Sequence, residues 1–257
     1  MMRSRRNIFL FTLKYALKES YDKTALVYDA YRLPWIEGPL SHLENSILRE
    51  CLKDGLTLEV GIGTGRMVRY IVDKVQEYFG IDISFRMLQQ CKNKVYGHKL
   101  ELILADAENT CFKENSFDNL LAMKVFKFLE PSKFLKEAKR ILKNDGILFI
   151  FVEVKDSLYF RLGEKLGVFI PKEEKHYYVR EIFKMINNAG FKSVRATPVA
   201  NILLGFYLLL WYLFFPVSWL RNLLSLLNKN PTFIKFITRI DRIIPSRFLV
   251  LFIASKP

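Results

Sequence analysis

Cysteine and histidine are scarce, with three of each among 257 residues. Cys51, Cys91 and Cys111 are far apart and odd in number, which excludes a disulfide framework and the paired spacing of a structural zinc site. No metal is expected, and the default compartment is a reducing cytoplasm. Acidic residues are also short: 26 Asp and Glu face 40 Lys and Arg, a formal net charge of +14. That balance suits a polyanionic partner, either a nucleic acid or an anionic membrane surface, or else only a solvated basic face. Internal repeats and low-complexity tracts are absent, which excludes a repeat architecture. No small-residue cleavage site follows the basic and then apolar start MMRSRRNIFLFTLKYALK, and Lys14 interrupts its apolar run. It reads as a basic amphipathic helix with Arg3, Arg5, Arg6, Lys14 and Lys18 on or near the polar side, rather than as a signal peptide.

Hydrophobic residues make up 51% of the chain, enough for one sizeable core in a single domain over 1–257. Residues 1–55 read as a helical cap with a break around Pro34 and Gly38. From Leu56, short apolar runs alternate with amphipathic helical stretches. The runs are TLEV (57–60), EYFGID (77–82), LELILAD (100–106), DNLLAMK (118–124) and GILFIFVEV (146–154). Helical spacing occupies 84–95 and 131–144, and LKNDG (142–146) carries a turn signal. A further helix over 177–189 uses Ile182, Phe183, Met185 and Ile186 as its apolar face and closes at Gly190, before a strand FKSVRAT. RFLVLFIAS (247–255) is the final strand. Strands alternating with helices predict an α/β fold with a mostly parallel sheet, a core over 56–198, an insertion over 199–246 and a last strand within 247–257.

The first strand opens a glycine turn, LTLEVGIGTGRM (56–67), with Glu59 ahead of Gly61, Gly63 and Gly65. A strand-to-helix turn at the carboxyl edge of a parallel sheet is where open α/β folds bind ligands, and glycine lets the backbone come close to them. The spacing departs from the dinucleotide pattern G-x-G-x-x-G, whose third glycine position holds Arg66. Glu59 would also repel a pyrophosphate and attract an ammonium group. Asp82 ends the second strand, where a carboxylate can accept from both hydroxyls of a ribose. Asp106, followed by Ala107 and Glu108, ends the third and is placed for a base edge. The bland alternatives are capping roles for Glu59 and Asp82.

On these residues the sequence resembles the class I S-adenosylmethionine-dependent methyltransferases, and most closely the type 11 group, which includes relatives of the quinone-biosynthesis methyltransferases. LEVGIGTGRM resembles the first motif, GIDISFRML the ribose motif, and ADAENTCFKENSFDNLLAM the adenine loop and fourth strand. FLKEAKRILKNDGILFIF, KHYYVREIFKMINNAGF and YDKTALVYDAY resemble later and N-terminal segments. The resemblance implies a Rossmann-like seven-stranded sheet with an antiparallel last strand, and S-adenosyl-L-methionine as cofactor. By resemblance, Gly61, Gly63, Thr64 and Gly65 would line the methionine part and Glu59 would face its ammonium. Asp82 would bind the ribose, with Ile83 and Met87 beside the adenine and Asp106 and Ala107 at its edge. Met123 and Lys124 would close the floor and Tyr28 would cover the site.

Family members often carry His after the fourth strand, but here that segment is KVFKFLE (124–130). His176, Tyr28, Tyr177 and Tyr178 remain the candidate acceptor-side groups. No charge occurs from Ala196 to Leu220, whereas Arg221 to Pro257 carry seven basic side chains and one acidic. The densest apolar part, ILLGFYLLLWYLFF (202–215), would span about 21 Å as a helix, short of the roughly 30 Å hydrocarbon core. A crossing would also strand the last strand on the far side of the membrane. An inserted helical lid that contacts one leaflet or covers an apolar acceptor is therefore expected, against a packed lid over any small acceptor or a dimer face.

The expected activity is methyl transfer to a lipid or other apolar small molecule, in the cytoplasm and peripheral on the inner face of the membrane. RNA or protein as acceptor is the alternative. It is disfavoured because the chain lacks an N-P-P-Y or D-P-P-Y tetrapeptide and paired catalytic cysteines. Nucleic acid as a partner stays open on charge alone. A degenerate, non-catalytic cofactor-binding protein is the second alternative. The acceptor atom, the acceptor molecule and the oligomeric state are not legible.

Overall fold

The computed structural model describes residues 14–31, 39–94, 99–157, 160, 174–200, 219, 222–223, 226–227, 230–241 and 249–257. Seven strands form one sheet: β1 (Leu56–Val60), β2 (Glu77–Asp82), β3 (Leu100–Leu104), β4 (Phe117–Met123), β5 (Leu142–Glu153), β6 (Lys192–Ala200) and β7 (Leu249–Ser255). Their spatial order is β3-β2-β1-β4-β5-β7-β6. All pairings are parallel except those of β7, which runs antiparallel to both β5 and β6. The Rossmann-like sheet with one reversed strand is thus as expected.

Among the described residues, helices α1 (14–24), α2 (Tyr28–Tyr31), α3 (Pro39–Cys51), α4 (Val68–Ile71), α5 (Phe85–Lys94), α6 (Pro131–Ile141), α7 (Val179–Asn188) and α8 (Pro231–Asp241) carry the connections. Their limits follow local chemistry. Ser84 Oγ accepts from Met87 N at 3.1 Å and caps α5, so Ser84 and not Asp82 fills the capping role. Pro131 occupies the first turn of α6, where no amide donor is needed. Asn230 Oδ1 accepts from Thr232 N and Phe233 N at the start of α8. Gly190, at φ 80°, ends α7.

The strands bury both faces, so their side chains divide with period two between two cores. Leu120, Ala122, Leu148, Ile150 and Val152 face the α6 and α7 side, with Phe134, Ile182 and Ile186. Leu121, Met123, Phe149 and Phe151 face the other side, with Leu48, Ile71, Leu88 and Leu251. Both cores meet the sheet near its centre, which fixes the carboxyl ends of β1, β2 and β4 as one rim.

The differences from the sequence expectations lie at element ends. The LKNDG segment is the start of β5 and not a free turn: Phe117 pairs with Leu142 and Asn119 with Ile147, so the intervening residues bulge. Asp145 takes φ 60° within that bulge, which is the turn signal the Asp-Gly pair carried. β3 stops at Leu104, leaving Asp106 in a turn that bridges Asn109. Val199 and Ala200 belong to β6 rather than to the insertion. The expected break around Pro34 and Gly38, and the apolar run 202–215, lie outside the described residues. No described helix is long and apolar enough to cross a membrane.

Candidate active site

At the end of β1 the backbone turns through Gly61 (φ 64°), Gly63 (φ 56°) and Gly65 (φ 77°), a conformation that side chains resist. A Cβ on Gly61 would lie 2.5 Å from Val125 Cγ2, so glycine also lets the turn pass close to the β4 exit. Gly63 N donates to Asp82 Oδ2 at 2.9 Å, while Asp82 Oδ1 accepts from Ser84 N at 2.8 Å. The carboxylate is thereby fixed at the tip of β2, with lone pairs left for a ligand. Burial raises the Asp82 carboxyl above its ordinary range, while the amides of Ser84, Gly63 and Ile83 pull it back.

Above this rim lies a cleft of about 790 Å³, counting its open mouth, within the range of small-molecule sites. Tyr28, Gly61, Gly63, Asp82, Ile83, Met87, Asp106, Ala107, Met123 and Lys124 line it, so these expected residues come together. Lys14, Leu17, Tyr21, Ala105, Val125, Phe128 and Leu129 also line it, and the sequence expectation did not include them. Residues 14, 17 and 21 share one helical face, a visible periodicity, but nothing local says what that face covers. Val125, Phe128 and Leu129 follow β4 directly, and the carboxyl-edge rule could have extended to them.

Glu59, Thr64 and Gly65 do not line the cleft. The period of β1 turns Glu59 to the α3 side of the sheet, away from Leu58 and Val60, and it lies behind the turn. There it accepts from Tyr78 Oη at 2.7 Å. Burial pushes its carboxyl up to about 7; the Tyr78 hydroxyl and Arg66 oppose that, and Glu44 and Asp82 add to it. Arg66 pairs with the buried Glu44 of α3, whose Oε1 lies 3.3 Å from Lys124 Nζ. The acid ahead of the glycines therefore belongs to a buried charge cluster with Tyr78, Arg66 and Glu44. Thr64 Oγ1 donates to Asp29 Oδ1 at 2.6 Å and ties the turn to the N-terminal cap, where Lys94 also pairs with Asp29. Burial brings the Lys94 ammonium down to about 8.

Helix α1 lies across the mouth. Lys14 Nζ sits 2.6 Å from Asp106 Oδ2 and 2.8 Å from Glu108 Oε2. Asp22 accepts from Ser84 Oγ at 2.6 Å and from Arg86 N at 3.3 Å at the other end. Tyr21 makes edge contacts with both Tyr28 and Phe128, each with ring centres 6.0 Å apart.

Of the acceptor-side candidates, only Tyr28 lines the cleft. Val154 and Tyr177 form a parallel bridge, and Lys175 N donates to Lys127 O at 3.1 Å. These bonds carry residues 174–178 along the outside of the Lys127 turn. His176 is consequently buried away from the cleft, with Nε2 3.3 Å from Glu174 Oε2 and its ring 4.6 Å from Phe160. Lys127 joins the same cluster, 2.8 Å from Glu174 and 3.5 Å from Glu153. Tyr177 packs on Phe126, and burial pushes its hydroxyl up to about 12. Tyr178 is exposed at the start of α7.

Comparison with known proteins agrees with this geometry. Residues 58–150, from β1 to β5, match the methyltransferase domain family. An uncharacterized protein of Methanocaldococcus jannaschii is 30% identical over 186 residues, 69% of this chain and 83% of the relative. Demethylmenaquinone methyltransferase of Tropheryma whipplei is 27% identical over 205 residues, 69% of this chain and 84% of that enzyme. The crystal structure of an S-adenosylmethionine-dependent methyltransferase from Thermotoga maritima superposes with a TM-score of 0.62 at 20% identity, covering 92% of this chain and 98% of that one. A glycine turn, a rim carboxylate and a cleft of this size fit S-adenosyl-L-methionine, and the chain belongs to the S-adenosylmethionine-dependent methyltransferases.

Proposed function

We propose that this methyltransferase acts on a lipid or other apolar small molecule, taken up at an anionic membrane surface. The observation that carries this reading is the cleft's mixed lining. The carboxylates of Asp82 and Asp106 share it with the apolar and aromatic side chains of Leu17, Tyr21, Tyr28, Val125, Phe128 and Leu129. When bound, the cofactor supplies an electrophilic methyl group on a sulfonium. The glycine turn would hold its methionine part, with Glu59 acting through the turn from beneath. Asp82 would accept from the ribose hydroxyls, Ile83 and Met87 would flank the adenine, and Asp106 and Ala107 would meet its edge. Met123 and Lys124 would close the floor. The aromatic lining would hold the acceptor dry and in line, which is most of what a displacement asks of a protein. Tyr28 would orient an acceptor hydroxyl, and Tyr21 lines the same cleft.

Membrane contact is supported by the insertion. Trp219, Leu223 and Leu226 are helical, exposed, and spaced four and three residues apart. Seven basic side chains against one acidic follow from Arg221 onward. Exposed apolar side chains in a basic stretch of sequence suit an anionic lipid surface.

The test is methyl-labelled S-adenosylmethionine incubated with the protein and whole-cell extract. Label in the organic-soluble fraction is expected, and it should disappear with Asp82→Ala. Label in RNA or protein would overturn the acceptor class while leaving fold and cofactor in place.

A further inference from the structure

The adenine end of the cleft already holds a cation from the chain itself. Lys14 Nζ lies 2.6 Å from Asp106 Oδ2 and 2.8 Å from Glu108 Oε2, and Lys14 and Asp106 both line the cleft. The other oxygens each have one donor as well: Asp106 Oδ1 accepts from Glu108 N at 2.9 Å, and Glu108 Oε1 accepts from Glu130 N at 2.7 Å. An exocyclic amine on a purine is a hydrogen-bond donor that needs one of these acceptors. An ammonium at 2.6 Å is a stronger donor for the same oxygen.

We propose that Lys14 is an internal competitor for the adenine site, and that α1 is a strap whose Lys14 turn must release Asp106 before the cofactor's adenine amine can pair there. The proposal rests on the adenine-edge assignment of the proposed function. α1 is held at two separate places, by Lys14 on Asp106 and Glu108 and by Asp22 on Ser84 and Arg86. The Asp22 contacts do not touch the adenine edge, so they can keep the strap attached while Lys14 moves. Leu17 and Tyr21, between the two anchors, line the cleft and would shift with it. Lys14 is therefore an affinity-setting residue: its charge, rather than its packing, lowers the affinity for ligands that carry the purine amine.

Calorimetric binding of S-adenosylhomocysteine to the full chain tests this, with a companion analogue that lacks the 6-amino group. Lys14→Met keeps the apolar stem and removes the charge, whereas Lys14→Arg keeps the charge. Lys14→Met should bind S-adenosylhomocysteine about two- to fivefold more tightly than wild type, the scale of one partly exposed ion pair. It should bind the deaminated analogue with unchanged affinity, and Lys14→Arg should behave as wild type with both. Amide exchange of residues 18–20, whose helical acceptors lie at 14–16, should quicken when the ligand binds wild type, while residues 22–24 stay protected. Equal or weaker binding by Lys14→Met, or slower exchange of 18–20 on binding, would overturn the strap and make Lys14 an ordinary lid contact. Failure of wild type and both variants to bind S-adenosylhomocysteine would instead strike the adenine-edge assignment itself. Thermal unfolding of each variant shows whether the fold is kept.

Discussion

At the scale of single residues, Glu59 shows how burial sets the titration of a carboxylate ahead of the glycine turn. Its carboxyl is raised from the ordinary 4.5 to about 7, with burial as the leading cause. The folded state therefore keeps a proton that the unfolded chain releases between those values. The stability this contributes is present in full below about pH 4.5 and is lost as the pH rises through about 7, a change of roughly 3 kcal/mol. Glu59→Gln keeps an acceptor for Tyr78 Oη and removes the titration. Relative to wild type, the variant should gain most of that amount between pH 4.5 and pH 8 in urea unfolding. A stability difference that stays flat across this range would show that Glu59 is ionised throughout. His176 gives the complementary lesson. A histidine just ahead of a substrate-side helix is a reasonable candidate base, yet the bridge between Val154 and Tyr177 turns it into a separate buried cluster. Sequence shows that a titratable group exists; the chain path decides what it can reach.

At the scale of elements, the β1 turn is the most legible part of the molecule. Three positive φ angles in five residues explain the glycine spacing without reference to any distant contact. Gly61 carries a second requirement that the spacing does not show, because an added Cβ would meet Val125 of the β4 exit at 2.5 Å. Gly63 has open space around its Cα. Gly63→Ala should therefore cost about 1 kcal/mol for backbone strain alone, and Gly61→Ala at least about 2 kcal/mol because the β4 exit must also shift. Denaturant unfolding of the pair checks this ordering; equal costs would mean that Val125 yields freely. The seven strands were equally readable from alternation and β-branched or aromatic content. Their ends were not: β5 begins at Leu142 because the sheet absorbs the Asp-Gly turn as a bulge, and a local turn signal cannot tell a bulge from a loop.

At the scale of the whole molecule, β7 dictates what the insertion can be. It lies between β5 and β6 and pairs along its length with β5, from Leu249 opposite Glu153 to Ser255 opposite Ile147. Whatever residues 201–248 do, the chain must return to the same sheet, and α8 packs on α3 on the way. A chain that crossed a membrane once between β6 and β7 would lose that strand. Surface contact has no such conflict. Deleting 202–227 and joining the ends through a short flexible linker should leave S-adenosylhomocysteine binding within a few-fold of wild type. It should also abolish co-sedimentation with phosphatidylglycerol vesicles. Retained sedimentation would move the membrane role to the basic N-terminal segment or remove it.

The sequence by itself determined the strands, the glycine turn, the rim carboxylates and hence the cofactor class, because all of these depend on backbone conformation and on residues near one another in the chain. Only the tertiary structure decided that Glu59 lies beneath the turn, that His176 stands off the cleft, and that Lys14 reaches across 92 positions to Asp106. Those outcomes are set by which faces of distant elements pack together. Such packing is a property of the folded chain as a whole, and no local periodicity encodes it.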